Sequence, residues 1–197
     1  MTRELIFATS NEHKAKEIQS LLPDGYRILT LKAAGLDIDI PEPFDTIEEN
    51  SKHKAQTIFN LTGKDCFAED TGLEVTALNG APGVKSARFA GEPPDDQRNI
   101  ARLLQEMKQY ENREARFKTV ITLILAKTEH QFTGICPGII GKQPLGTNGF
   151  GYDPVFIPQG STLTFAQMNL SGKNLFSHRK QALSSMIQFL NQQPFPQ

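Results

Sequence analysis

"FAEDTGLEV", residues 67–75, sets two adjacent carboxylates, Glu69 and Asp70, between apolar runs. Read locally, "CFAED" and "LEVTALN" are two short strands about an acidic turn, because Asp, Thr and Gly carry turn chemistry. Two readings of the acids stand side by side: the solvated lip of an ordinary turn, or carboxylates that hold a metal ion for chemistry on phosphate. Working outward, "RELIFAT" (3–9) reads as a first strand and "NEHKAKEIQSLL" (11–22) as a helix, with Ala15, Ile18 and Leu22 on one face and Pro23 ending it. "YRILTL" (26–31) is the next strand. "DTIEENSKHKAQTIFNLTG" (45–63) is a helix: Thr46 and Glu49 fit a capping box, Ile47, Ser51, Ala55, Ile58 and Phe59 share a face, and Gly63 is the stop.

Beyond the acidic stretch, "NGAPG" (79–83) is a turn and "PDDQRNIARLLQEMKQ" (94–109) a helix with Ile100, Leu103, Leu104 and Met107 inward. "ARFKTVITLILA" (115–126) and "EHQFTGIC" (129–136) read as long strands. "GTNGFGYDPVF" (146–156) is a glycine-rich loop entering a strand, and "SHRKQALSSMIQFLNQ" (177–192) is a closing helix with Ala182, Met186 and Phe189 as its inner stripe. Strands alternate with helices early and form hairpins in the middle, which predicts an α/β fold with a mixed sheet. No linker separates independent domains, and 197 residues suit one domain or one domain with two lobes.

Composition narrows the function classes. Hydrophobic residues make up 38% and charged residues 22%, as in ordinary soluble proteins. A net charge of −1, from 21 basic and 22 acidic side chains, argues against a protein that coats a nucleic acid polymer, yet leaves room for a small basic site for a nucleotide. No apolar run approaches the length of a membrane span, and "MTRELIFATSNEHK" turns polar too soon for a signal peptide. Cys66 and Cys136 form no CxxC or zinc pattern, so two reduced structural thiols in a cytoplasmic protein are expected.

Four stretches carry chemistry, each beside a plainer reading. In "ATSNEHK" (8–14) a strand end runs into a helix start, where free N–H groups favour phosphate and Lys14 adds charge; taken alone, the stretch reads more simply as a helix capped by Asn11 with a solvated lysine. Glu42, between Pro41 and Pro43, and Glu49 join Glu69 and Asp70 as oxygen donors of the kind magnesium takes, although solvated surface acids explain them too. "GTNGFGYDP" (146–154) lets backbone approach a ligand, and Phe150 and Tyr152 can stack on a base or fill the core. In "GKNLFSHRKQAL" (172–183), Lys173, His178 and Arg179 crowd a helix start, where the dipole disfavours cations unless an anion offsets it.

In this order and spacing, "ATSNEHKAKEI", "EENSKHKA", "AEDTGLEVTALNGAPGVKSARFAG", "GTNGFGYDPVF" and "SHRKQAL" together resemble the inosine triphosphate pyrophosphatase family, the noncanonical purine NTP pyrophosphatases, and its RdgB-like bacterial branch in particular. The resemblance spans residues 5–183. It implies a long central mixed sheet with helical lobes about a deep cleft, usually in a homodimer. It also implies Mg²⁺-dependent hydrolysis of dITP, ITP and XTP to the monophosphate and pyrophosphate, clearing deaminated purines from the nucleotide pool. Carried over by position, Thr9, Ser10, Asn11, Glu12, His13 and Lys14 match the triphosphate-binding turn. Asp70 matches the catalytic carboxylate and metal ligand, Glu42 a second metal ligand, and Thr71 a substrate-contacting hydroxyl. Glu49, Asn50 and Lys54 match the helix flanking the metal. Phe150, Gly151, Tyr152 and Asp153 match the base-binding loop, and Lys173, His178 and Arg179 the base and phosphate contacts near the C-terminus. The chain departs from the family at Glu69, where aspartate is usual, and at Asn148 and Ser10, where glycine is common. A related pyrophosphatase of the Maf type, with another base preference, a nucleotide sensor without turnover, and a structural dimerisation module, which the polar, glycine-rich loops oppose, are the competing readings. "GFGYDP" and "SHR" oppose the first, and the retained Asp70, Glu42 and Lys14 the second.

Overall fold

Residues Cys66–Val75 form one uninterrupted strand, β3, with no turn at Glu69–Gly72. This corrects the expectation of two short strands. Cys66 and Phe67 pair in parallel with Ile6 and Phe7 of β1 (Arg3–Phe7), while Leu73 and Glu74 pair antiparallel with β4 (Pro82–Gly83). Pairing near both ends keeps the acidic centre extended, and it overrides the local turn preference of Asp-Thr-Gly. The computed structural model describes residues 2–9, 15 and 18–193.

The remaining elements are β2 (Tyr26–Thr30), α1 (Ile47–Thr62), α2 (Asp96–Glu106), β5 (Glu114–Leu125), β6 (Thr128–Ile140), β7 (Phe156–Pro158), α3 (Leu170–Asn174) and α4 (His178–Asn191). The sheet runs β2-β1-β3-β5-β6-β7, with β4 also on β3. Its β1 pairs are parallel and its β3–β4 and β6–β7 pairs antiparallel, so the sheet is mixed and the chain is α/β. Strand β6 runs past the expected Cys136 to Ile140, through Pro137. Among the described residues no helix is long and apolar enough to cross a membrane.

The chain divides into two compact units, one within residues 1–70, 120–133 and 181–197, the other within 71–119 and 134–180. In the first, strand alternation builds a core on each sheet face. Leu5, Phe7, Phe67, Ile121 and Leu123 pack with Ala182, Leu183, Met186 and Leu190 of α4, and Phe7 stacks on Phe67 with centroids 4.4 Å apart. Ala15 and Ile18 join this core, while the expected helix start at Asn11 lies outside the described residues. Phe189, expected inward, is only partly buried against His130 and Phe132. On the opposite face Ile6, Cys66, Ala68 and Ile124 meet Ala55 and Ile58 of α1.

Helix α1 begins where its sequence says it should. Thr46 Oγ1 accepts the Glu49 N–H at 3.1 Å, and its own hydroxyl hydrogen goes to the Glu49 carboxylate at 2.7 Å. Gly63 ends the helix in the left-handed conformation, φ 64°, its N–H bonded to Phe59 O. The helix buries polar side chains on its sheet side: Ser51 Oγ reaches Ala68 O and Thr122 Oγ1. The second unit has one core, in which Leu73, Val75, Leu103, Met107, Ile140, Val155, Phe156 and Phe165 are all buried.

Burial pushes the Cys66 thiol from 9.0 up to about 12 and the Cys136 thiol to about 11, with Asp65 adding to the first shift. Burial likewise raises the Tyr26 and Tyr152 phenols. All four groups stay protonated in the folded chain where the unfolded chain would already release protons. The contribution of the two thiols is therefore intact below pH 9 and fades as pH rises toward 11 and 12. We expect the urea midpoint to be lower near pH 10.5 than near pH 8, and the native thiols to resist iodoacetamide at neutral pH. An unchanged midpoint, or rapid labelling of the folded protein, contradicts this.

Candidate functional site

Asp70 leaves β3 on the same face as Cys66 and Ala68, toward α1, because side chains two apart share a face. There it meets Lys54, whose Nζ donates to Asp70 Oδ1 at 3.0 Å and to Glu42 Oε1 at 2.6 Å. The two carboxylates, 28 residues apart in sequence, thus converge on one ammonium. Lys54 and Asp70 are both 9% exposed, so their ion pair is shielded from screening by water, while the Glu42 side chain is 26% exposed. Asn50, one helical turn before Lys54, braces this arrangement. Its side chain accepts from Phe44 N and donates to Phe44 O, both at 3.0 Å, which fixes the extended segment carrying Glu42.

Glu69 and Asp70 do not act as a pair. As consecutive residues of an extended strand they leave opposite faces, so the longer side chain at 69 points away from Lys54. Glu49 is engaged at the helix cap with Thr46. Thr9 follows the end of β1 and its carbonyl accepts the Leu31 N–H at 3.2 Å. Ser10, Asn11, Glu12, His13 and Lys14 lie outside the described residues.

In the second unit the loop 146–153 is tied from several directions. Asp153, 3% exposed, accepts the Phe150 N–H at 3.0 Å and forms an ion pair with Lys173. Lys173 Nζ also lies 5.0 Å from the Phe150 ring centroid and 5.3 Å from that of Phe165. Asn148, the residue in place of a common glycine, bonds Ala166 O through its N–H and Met168 O through its side-chain amide. Gly151 N–H donates to Asp96 Oδ2 at 2.6 Å. Phe150 is 69% exposed, whereas Tyr152 is buried and donates its hydroxyl to Ser86 O at 2.9 Å. The two aromatics of "GFGY" therefore divide between surface and core.

His178 stacks on Phe117, with centroids 5.0 Å apart and planes 9° from parallel. Ser177 Oγ accepts the Lys180 N–H, as its capping position predicts, which puts His178 and Arg179 in the first turn of α4. Thr71 shares a hydrogen bond with Thr119, oxygen to oxygen 2.7 Å.

Gly149 is the tightest point of the loop. A Cβ there would sit 1.9 Å from Asp153 Oδ2, and φ is +80°. Gly149→Ala should therefore displace the carboxylate that holds Phe150 and Lys173 and destabilise the protein by ~1–3 kcal/mol. Urea unfolding measures it, and a change within about 0.5 kcal/mol contradicts the packing described.

An α/β chain that closes two carboxylates on a buried lysine, and carries an exposed aromatic and a basic helix start elsewhere, has groups suited to a charged ligand. Comparison with known proteins identifies it further: the Ham1 family profile matches residues 5–189, and the chain belongs to the Ham1 family. It is 48% identical over 188 residues to a dITP/XTP pyrophosphatase of Christiangramia forsetii, across 95% of this chain and 99% of that protein. It is 50% identical to one of Flavobacterium psychrophilum, across 94% and 98%. Among solved structures, the HAM1 protein of Coxiella burnetii superposes with TM-score 0.92 at 34% identity, covering 98% of this chain and 100% of that one. The Ham1 protein of Staphylococcus aureus gives 0.91 at 35%, covering 96% and 98%.

Proposed function

We propose that this chain hydrolyses dITP, ITP and XTP to the nucleoside monophosphate and pyrophosphate, removing deaminated purines from the nucleotide pool. The observation that carries the reading is the Glu42–Lys54–Asp70 group, present in a chain that matches dITP/XTP pyrophosphatases over nearly its whole length. The chain works as one catalytic domain over residues 1–197, in the cytoplasm and as a homodimer, as the family resemblance implies.

Asp70 takes the proton of a water that attacks the α-phosphorus, and the bond from that phosphorus to the bridging oxygen of pyrophosphate breaks. Asp70 is shielded from solvent, and its carboxylate can accept that proton. Lys54 offsets charge on the departing pyrophosphate. Thr9 to Lys14 add backbone and side-chain donors for the triphosphate. Glu42 and Asp70 fit Mg²⁺, which accepts one or two carboxylates and completes its shell with water and substrate phosphates. Among the described residues no group of three or more His, Cys, Asp or Glu side chains offers a fuller cage. When bound, the ion lowers the pKa of water and neutralises phosphate charge.

Base recognition falls to Phe150, Gly151, Asp153, Lys173, His178 and Arg179, with Thr71 a further contact and buried Tyr152 holding the loop from within. Hypoxanthine and xanthine carry a keto oxygen at position 6, where adenine carries an amino group. A donor such as Arg179 is satisfied by the first and left facing another donor by the second, a mismatch able to separate substrates by orders of magnitude. The test is pyrophosphate release by purified protein with Mg²⁺ across a panel of ITP, dITP, XTP, ATP and GTP. Strong preference for the deaminated purines supports the reading, and equal turnover of ATP or no release sinks it.

A further inference from the structure

Asp96 heads helix α2, and its neighbour Asp95 is already the cap, accepting the Arg98 N–H at 2.9 Å. Asp96 is free for another task. Its carboxylate reaches 55 residues along the chain to the Gly151 N–H. The preceding amide, of Phe150, is held by Asp153. Consecutive amides on the two sides of the Phe150 Cα are thus each fixed by a carboxylate. Fixing both peptide planes sets the direction in which the Phe150 side chain leaves the backbone. Gly151 stands at φ +59° with nothing within 4 Å of a would-be Cβ, so the requirement there is conformational: the chain turns so that its amide meets Asp96.

The base of this strut is rigid. Asn99, 2% exposed, accepts from Ala90 N and donates to Ala87 O, and Arg102 donates to Phe89 O and lies over the Phe89 ring. Tyr152, next to Gly151, reaches Ser86 in the same segment. Helix α2 and the loop are therefore held to one stretch of chain. The Phe150 ring has the Lys173 ammonium near its centroid and most of its surface open. An aromatic ring so presented suits a purine face.

We propose that Asp96 is a positioning residue for base recognition, orienting Phe150 through the Gly151 amide. The proposal rests on the reading that loop 146–153 receives the purine. In the full chain, Asp96→Ala should raise the KM for ITP and weaken binding of IMP about fivefold each, the loss of one solvent-accessible hydrogen bond to a charged acceptor. kcat should stay within about twofold, and binding of inorganic tripolyphosphate should not change, because neither depends on the base. Asp96→Asn keeps an acceptor and should recover most of the loss. Phe150→Ala should weaken IMP on its own, and the double variant should be no weaker than Phe150→Ala alone. If Phe150→Ala weakens IMP while Asp96→Ala does not, the Asp96 assignment is wrong and the base loop stands. If Phe150→Ala leaves IMP binding intact, the base loop itself is wrong. Equal losses for IMP and tripolyphosphate without rescue by Asp96→Asn would make Asp96 merely structural and overturn the proposal.

Discussion

Asp70→Asn lowers kcat for ITP by about three orders of magnitude, the scale of a lost general base, and leaves ITP affinity within a few-fold. Asparagine keeps the size of the side chain and an oxygen for the Lys54 ammonium, so the strand and its contact with α1 remain. What disappears is the carboxylate that can take a proton. Single-turnover kinetics together with equilibrium binding of ITP measure the two quantities separately. Turnover near wild type removes Asp70 from the chemistry. Equal losses of binding and turnover would make it a binding residue instead.

Lys54→Met acts in the opposite sense on metal and on turnover. Its Nζ sits where two carboxylate oxygens converge, in the place a divalent cation would favour on electrostatic grounds. Without it, Glu42 and Asp70 lose the ammonium on which they converge, and removal of one partner from a buried charge group is destabilising. Mg²⁺ should then bind about tenfold tighter than in wild type, because the Lys54 ammonium no longer competes for these oxygens. The variant should start from a lower melting temperature and gain more from added Mg²⁺, as linkage requires. Turnover should fall by ~10²-fold or more with the loss of a cation at the leaving group. A Mg²⁺-dependent melting shift no larger than that of wild type contradicts the view that lysine and metal compete for these two carboxylates.

Local chemistry was legible wherever it governed structure. Helix α1 could be read to within a residue, because Thr46 and Gly63 act on groups one turn away. At Glu69–Gly72 local chemistry points the wrong way: the residues favour a turn, while partners some 60 residues back in β1 and about ten ahead in β4 impose a strand. That correction matters for the site, since strand alternation separates Glu69 from Asp70. The convergence of Glu42, Lys54 and Asp70 had no local signature. Only the resemblance to a family put the three residues together. Asp96 was hidden because an Asp-Asp pair before a helix reads completely as capping, and its partner at Gly151 lies far along the chain.

Hydrolysis of ITP in ¹⁸O-water tests the central claim, attack of water at the α-phosphorus, most directly. The heavy oxygen should appear in the phosphate of IMP, with the released pyrophosphate unlabelled. Label in pyrophosphate would place attack at the β-phosphorus, and labelled orthophosphate would place it at the γ-phosphorus. Either result would contradict Asp70 as the base for attack at the α-phosphorus.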